Sequence, residues 1–412
     1  MRAFQPIKRL LKSERGNALA IGAAMMPLLL ASAGFAIDTT QIALLNRQIQ
    51  RAADSSALAG AYALAQDTNS TTEAATARAA VARDLTKNKY PTLAQAATVT
   101  PGPALGWQRT VAVQLEARPR LPFMSIFTKS GSVVRANATA AIVNNGRFCM
   151  LSLFNGTSPG ISVGGSAELN LGCGLASKGT GPDCVDAFGS SRVIASPIMA
   201  VGGVQGSSNF ASGTKLQPHS SEQRDPYASV PNPPAFGGCP EKTVGPGETF
   251  AIPPGACYSS LTIKGNVTTS GPVYIDGGDL DITSQANISG TNTTFVMTGP
   301  NGAAGDLSMN GNATMNISAP GSGDYKNILF YRDRRASNIE IKINGGSDMT
   351  MAGAFYFPSS DVTFTGGSSF NAQCFQLIGQ ILTFRGNADI TNACTVPGLT
   401  PTFQLEFVRL VK

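Results

Sequence analysis

Histidine is nearly absent: His219 is the single imidazole in 412 residues. It lies in a proline-rich stretch, so Ser-His-Asp and Cys-His relays lack a well-placed base. None of the seven cysteines forms a Cys-x-x-Cys pair, and one imidazole cannot complete a zinc site of familiar spacing. Charge is scarce too, at 14% of residues, against roughly a quarter in ordinary globular domains. The net charge of +6 invites a nucleic-acid reading, but Arg2, Lys8, Arg9, Lys12 and Arg15 cluster at the start of the chain. Outside that tail the balance is close to neutral, which argues against a basic nucleic-acid footprint. Phosphate-binding loops are missing as well. Gly277-Gly278 and Gly345-Gly346 lack the Lys-Ser/Thr ending and a following helix.

What the chain does have is glycine, 45 residues of it, together with much Ser, Thr and Asn. Such a composition suits an exported, β-rich protein better than a cytosolic enzyme. Residues 16–37 run without a charge, and a helix of that length covers about 33 Å, enough for a hydrocarbon core of about 30 Å. The basic tail before it, 1–15, is the kind that stays in the cytoplasm and sends the rest outward. Ala31-Ser32-Ala33 leaves a second reading open, that of a cleavable signal peptide. After Asp38, the positions Ile42, Leu45, Ile49, Ala52, Ala53 and Ala57 recur at three- and four-residue steps, an amphipathic helix pattern. That helix serves either as a partner interface or as the packing face for its own following domain.

Arg15-Gly16-Asn17, the apolar stretch, Ala36-Ile37-Asp38 and the run Gln50-Arg51-Ala52-Ala53-Asp54-Ser55-Ser56-Ala57-Leu58-Ala59-Gly60-Ala61 resemble the N-terminal region of TadG-like proteins. These belong to the TadE/G-like group associated with assembly of Flp (tight adherence) pili. The resemblance implies an inner-membrane anchor and a large extracytoplasmic body. Related pseudopilins are cut after a glycine followed, at the fifth place, by glutamate. Here that place holds Ile21, which argues against prepilin-peptidase processing.

Beyond a helical region over 38–90, Val111, Val113 and Leu115 alternate with polar neighbours, and 130–143 reads as a further strand. The span 91–147 is therefore expected as a small β-rich module. Within it, Leu121-Pro122-Phe123-Met124-Ser125-Ile126-Phe127 is expected to be a buried turn, with contact to the membrane surface as the alternative.

From Cys149 onward the chain repeats itself: ISVGGSAEL at Ile161, LTIKGNVT at Leu261, LDITSQANI at Leu280, LSMNGNATM at Leu307. IKINGGSDM at Ile341, VTFTGGSSF at Val362 and LTFRGNADI at Leu382 continue the series. Two-residue alternation followed by a Gly/Asn corner gives short strands that bury an edge only by stacking. The span 148–400 is expected as a parallel, right-handed β-helix solenoid, with a β-sandwich as the alternative. Prolines between 205 and 257 mark a strap along it, pinned by Cys239 and Cys257. Cys173/Cys184 and Cys374/Cys394 are the other neighbouring pairs, with Cys149 left over and free buried thiols as the competing reading. Residues 401–412 read as a C-terminal tail.

The densest carboxylates, Asp276, Asp279 and Asp281, sit where alternate side chains turn to opposite faces, which favours solvated edges over calcium or polysaccharide chemistry. Arg332, Asp333, Arg334 and Arg335 read as an exposed insertion with local ion pairs. No residue is assigned a catalytic, cofactor-binding or metal role. The expectation is a non-enzymatic, single-pass bacterial inner-membrane protein, N-terminus cytoplasmic and bulk periplasmic or extracellular, assisting Flp-type pilus assembly, anchoring or adhesion. Its partners would be the membrane and pilus-assembly or envelope proteins, not nucleic acid. The alternative is an exported β-helix protein that binds or cleaves cell-surface polysaccharide.

Overall fold

The computed structural model describes residues 17–66, 71–88, 92–126, 132–310, 312–344, 349–365, 369–393, 399 and 403–412. The chain is mainly β, with a long apolar helix at the start of the described chain. The basic tail 1–15 lies outside the described residues. Two compact units divide the chain: 1–143 with 407–412, and 144–406.

In the first unit, α1 (Asn17–Gln66) is one unbroken helix of 50 residues with Pro27 inside it. The apolar segment and the amphipathic segment are thus one helix. A second helix, α2 (Glu73–Lys87), follows. Strand β1 (Thr98–Ala104) pairs antiparallel with β2 (Trp107–Ala117), which pairs antiparallel with the start of β3 (Val134–Ser152). Val111, Val113, Leu115 and Ala117 of β2 are buried, and Ala136, Ala138 and Ala140 of β3 face the same core. Against these small residues lie Ile49, Ala53, Ala57, Ala61 and Leu64 of α1. Gly60 marks the closest approach, since a Cβ there would stand 2.8 Å from Val81 Cγ2 and 2.9 Å from Val111 Cγ1. The second half of α1 therefore packs on its own domain, one of the two uses its pattern allowed.

In the second unit, successive passes of the chain add strands in parallel to two sheets. Among the described residues one sheet has ten strands, and its inner ladder runs in register through Val244, Ile263, Ile282, Met309, Ile343 and Phe364. It continues through Phe384, Val163 and Ala187. All of these are buried. The other sheet carries the ladder Val273, Phe295, Phe330, Phe355, Leu377 and Met150. Burying one such side chain is worth about 1.5–3 kcal/mol, and like residues stacked on like leave few voids.

The stacking order departs from the chain order. Leu382–Phe384 pairs with Ile161–Val163, and Leu377–Gly379 pairs with Met150–Ser152. The last repeats in sequence therefore adjoin the first. To reach the far edge at Lys242–Val244, the chain crosses the sheet after Leu216–Gln217. Ten strands at about 4.8 Å span about 43 Å, within reach of the roughly 24 residues available at up to about 3.3 Å each.

Several expectations need correction. The irregular strap is narrower than 205–257, because Leu216–Gln217, Lys242–Val244, Thr249–Ile252 and Cys257–Tyr258 are strands within the sheets. Pro246, Pro253 and Pro254 sit at the corners between them. Cys173 bonds to Cys149 and not to Cys184, which is a free buried thiol. Parallel stacking explains the pairing: Phe148 lies opposite Gly174, which sets the two cysteines side by side, with Cα atoms 5.9 Å apart. Cys239 bonds to Cys257. Cys374 is also disulfide-bonded, while its expected partner Cys394 lies outside the described residues. The stretch expected as a tail contains a strand, Phe403–Leu410, consistent with the alternation of Phe403, Leu405 and Phe407.

Candidate functional site

The features that point to function gather on the first half of α1. Ile21, Met26, Leu28, Leu29, Leu30 and Phe35 are each more than half exposed, a bare apolar cylinder without a charge. Its hydroxyls are turned inward on the backbone: Ser32 donates to Leu29 O, Thr39 to Phe35 O and Thr40 to Ala36 O, at 2.7–2.9 Å. Such back-bonding leaves no hydroxyl proton needing water.

Asp38, the first charge after the apolar stretch, is fully buried. Its Oδ2 accepts the backbone N–H groups of Phe123 and Met124, while Oδ1 has no hydrogen-bond partner among the described residues. The donors open the short 3-10 turn Met124–Ile126, so the aspartate caps a turn some 85 residues away in sequence. Beneath it, Phe123 rests on Gly34, where a Cβ would fall 2.5 Å from the ring. An apolar pocket of about 380 Å³ is lined by Leu30, Ala31, Phe35, Phe123, Met124 and Ile126. The loop was expected to be buried. It is not: Phe123 is 39% exposed and Ile126 74%. The physical reason is that the loop packs on a helix surface that is itself bare.

The run Gln50 to Ala61 works inside the fold. Gln50 Nε2 donates to Asp54 Oδ1 at 2.8 Å and to Asn137 O at 3.1 Å. Ser55 donates to Asp84 and buried Ser56 to Ala53 O. With Ala53, Ala57 and Gly60 against the sheet and α2, these residues fix the helix to its module.

In the second unit the Arg332–Arg335 stretch is only in part the exposed insertion with local ion pairs expected of it: Arg335 is exposed and pairs with Asp333, but the two residues before Arg334 are not exposed. Arg332 and Asp333 are fully buried. Arg332 donates to the carbonyls of Gly305, Ser337 and Ala304 and to the hydroxyls of Ser359 and Ser360. Asp333 accepts from Thr298 and Arg335. Burial pushes the Asp333 carboxyl up, but those donors outweigh it and hold the group below its ordinary range. Arg334 reaches the strap, donating to the carbonyls of Tyr227, Ala228 and Val230. Tyr227 donates to Gln376 and Tyr356 to Asp225. Burial holds both phenols above their ordinary range, so they remain donors.

The three carboxylates separate. Asp276 lies beside the Cys239–Cys257 disulfide, whose sulfurs are bonded to each other. Asp279 and Asp281 instead gather with Asp306, which the sequence reading missed because it is 25 residues away from Asp281. Asp279 Oδ1 accepts the Asp306 N–H at 2.7 Å. Burial first, then the neighbouring carboxylate, raises Asp281; burial likewise raises Asp306. His219 is exposed in the strap. Burial pushes the Cys184 thiol up, which makes it a poor nucleophile.

Residues 16–66 match the family model of Flp pilus-assembly TadE/G-like proteins. No curated protein and no solved structure matches the chain. The match covers α1 and its packing motif, the same residues that carried the resemblance in the sequence, so the chain carries a TadE/G-like segment.

Proposed function

We propose that this protein is a non-enzymatic, membrane-anchored envelope protein that acts in Flp pilus assembly. The observation that carries the reading is the division of α1: its first half is bare and apolar, and its second half is consumed by the core of its own module. A helix built this way has one face for a bilayer and one for a folded body. The basic residues before it favour a cytoplasmic N-terminus. The disulfides Cys149–Cys173 and Cys239–Cys257 favour an oxidising compartment for the body. The in-register parallel ladders support reading 148–400 as a right-handed parallel β-helix, an elongated scaffold for pilus-assembly or envelope partners. Its action is mechanical and interfacial.

A second reading is favoured by one feature, the outward carboxylates Asp279, Asp281 and Asp306, which suit a polysaccharide surface. Two measurements separate the readings. Deleting the gene should abolish piliation under the first, and Asp279→Ala with Asp281→Ala should leave piliation intact. Under the second, the double substitution removes polysaccharide binding or cleavage. Membrane fractionation with protease protection and N-terminal sequencing tests the anchor: retention from Met1 with digestion from outside supports it, and a soluble product starting near Gly34 overturns it.

A further inference from the structure

We propose that the loop Leu121–Ile126 is a second membrane contact, seating its apolar side chains in the bilayer leaflet that α1 leaves at Asp38. The inference rests on the anchored reading of α1 and adds a depth and an orientation to it.

Depth comes from the helix. Gly34 precedes Asp38 by one turn, which places it about 6 Å back along the axis toward the middle of the apolar stretch. Phe123 lies against Gly34 so closely that any side chain there would collide with the ring. The loop is therefore held beside residues of the uncharged stretch and not beyond it. Exposed Phe123 and Ile126 continue the exposed surface of Leu30 and Phe35 around one apolar pocket. If that surface of α1 is in lipid, its continuation is in lipid too.

The donors of the loop tip find acceptors within the protein, which lowers the cost of immersion. Pro122 has no N–H. The N–H groups of Phe123 and Met124 go to Asp38. Those of Ser125 and Ile126 go to the carbonyls of Leu121 and Phe123, and the Ser125 hydroxyl goes to Pro122 O. Arg118 and Arg120, both exposed, precede the apolar tip where lipid phosphates would lie. Apolar tip, paired N–H groups and basic flank together match an interfacial insertion of the kind that reaches about 5–10 Å into a leaflet.

The test uses the full-length protein reconstituted in phosphatidylcholine/phosphatidylglycerol vesicles. Trp107→Phe removes the only native tryptophan, and a single reporter is then placed by Ile126→Trp or, separately, Leu29→Trp. Both sites are exposed, so neither substitution disturbs a packed core. Quenching by acyl-brominated lipid and by aqueous iodide is measured for each. The expected result is strong quenching at position 29, and at position 126 quenching by shallow bromines with several-fold protection from iodide. Lipid quenching at 29 with free iodide access at 126 overturns the proposal and leaves the anchor standing. No lipid quenching at either position overturns the anchored reading and the proposal with it. Iodide access at 126 in vesicles but protection in native membranes also overturns it, by assigning the loop to a protein partner.

Discussion

Replacing Arg332 with methionine tests whether the turns between strands are held by buried polar bonds or only by the apolar ladders. The guanidinium makes five hydrogen bonds of 2.9–3.2 Å, three of them to the carbonyls of Ala304, Gly305 and Ser337. Methionine keeps most of the volume but leaves those carbonyls without a donor, at about 1–3 kcal/mol each. Removing the buried charge offsets part of this, because desolvating a guanidinium is itself costly. Asp333 is not orphaned, since Thr298 and Arg335 remain on it. The balance should be a loss of about 3–5 kcal/mol, a urea midpoint lower by about 1–2 M. Arg332→Lys should recover little of it, because one ammonium cannot reproduce the planar fork. The assay is urea unfolding of the full chain in detergent. Near-UV tyrosine signal from Tyr325, Tyr331 and Tyr356 reports the second unit, and Trp107 fluorescence reports the first. An unchanged tyrosine midpoint for Arg332→Met would refute the reasoning, and a shift in the Trp107 transition alone would place the effect in the wrong unit.

Gly60→Leu should destabilise the first unit by at least about 1–3 kcal/mol, because Val81 and Val111 occupy the space; Trp107 fluorescence reads it, and an unshifted transition counts against the close approach. Cys239→Ser should lower stability by about 3 kcal/mol for a loop of 18 residues, with faster proteolysis near 230–241 as the signature. For pH, Asp186, Asp281, Asp306 and Asp361 have carboxyls raised by burial. A raised folded pKa means stability that is fully present below the unfolded value of about 4 and lost as pH rises through the folded value. The second unit should therefore gain stability on acidification from neutral pH toward 4, and Asp306→Asn should remove part of that gain. Asp333 has the opposite sign: its depressed carboxyl contributes above the unfolded value and is lost as pH falls through the lower folded one. The advantage should accordingly reverse below about pH 4, read from thermal unfolding across the pH series.

The strands were legible because their signal is local. Leu261, Leu280, Val362 and Leu382 start repeats in the sequence and lie in one buried ladder in the structure. The amphipathic pattern of α1 likewise identified a packing face. What stayed hidden depends on contacts far apart in the chain. Nothing near Asp38 announces that its carboxylate will cap a turn at 123–124. Arg332 looked solvated because charge in a loop usually is; the surrounding carbonyls and serines, contributed from 304–305, 337 and 359–360, make its burial tolerable. The Cys149–Cys173 bond follows from stacking register and not from nearness in sequence, which is why the adjacent Cys173/Cys184 pair misled.

The stacking order itself has a consequence for how the second unit stands as a whole. In a linear stack of repeats, terminal passes can be removed one at a time, because each touches only its neighbours. Here the strands Ile161–Val163 and Glu168–Asn170 find their partners in Leu382–Phe384 and Asp389–Thr391. The seam thus joins segments more than 200 residues apart, and its formation waits on nearly the whole unit. Removing residues 380–412 should do more than shorten one end. It strips one edge from the first repeats, leaving unpaired parallel strands that favour aggregation. Hydrogen exchange should then rise across 161–170 and spread to Val185–Ala187 and Arg192–Ile194, which stack on them. Protection should persist in Leu261–Ile263 and Leu280–Ile282, whose partners are all retained. If instead 161–170 keeps full protection in the truncated chain, the early repeats are self-sufficient and the seam is a mere point of contact.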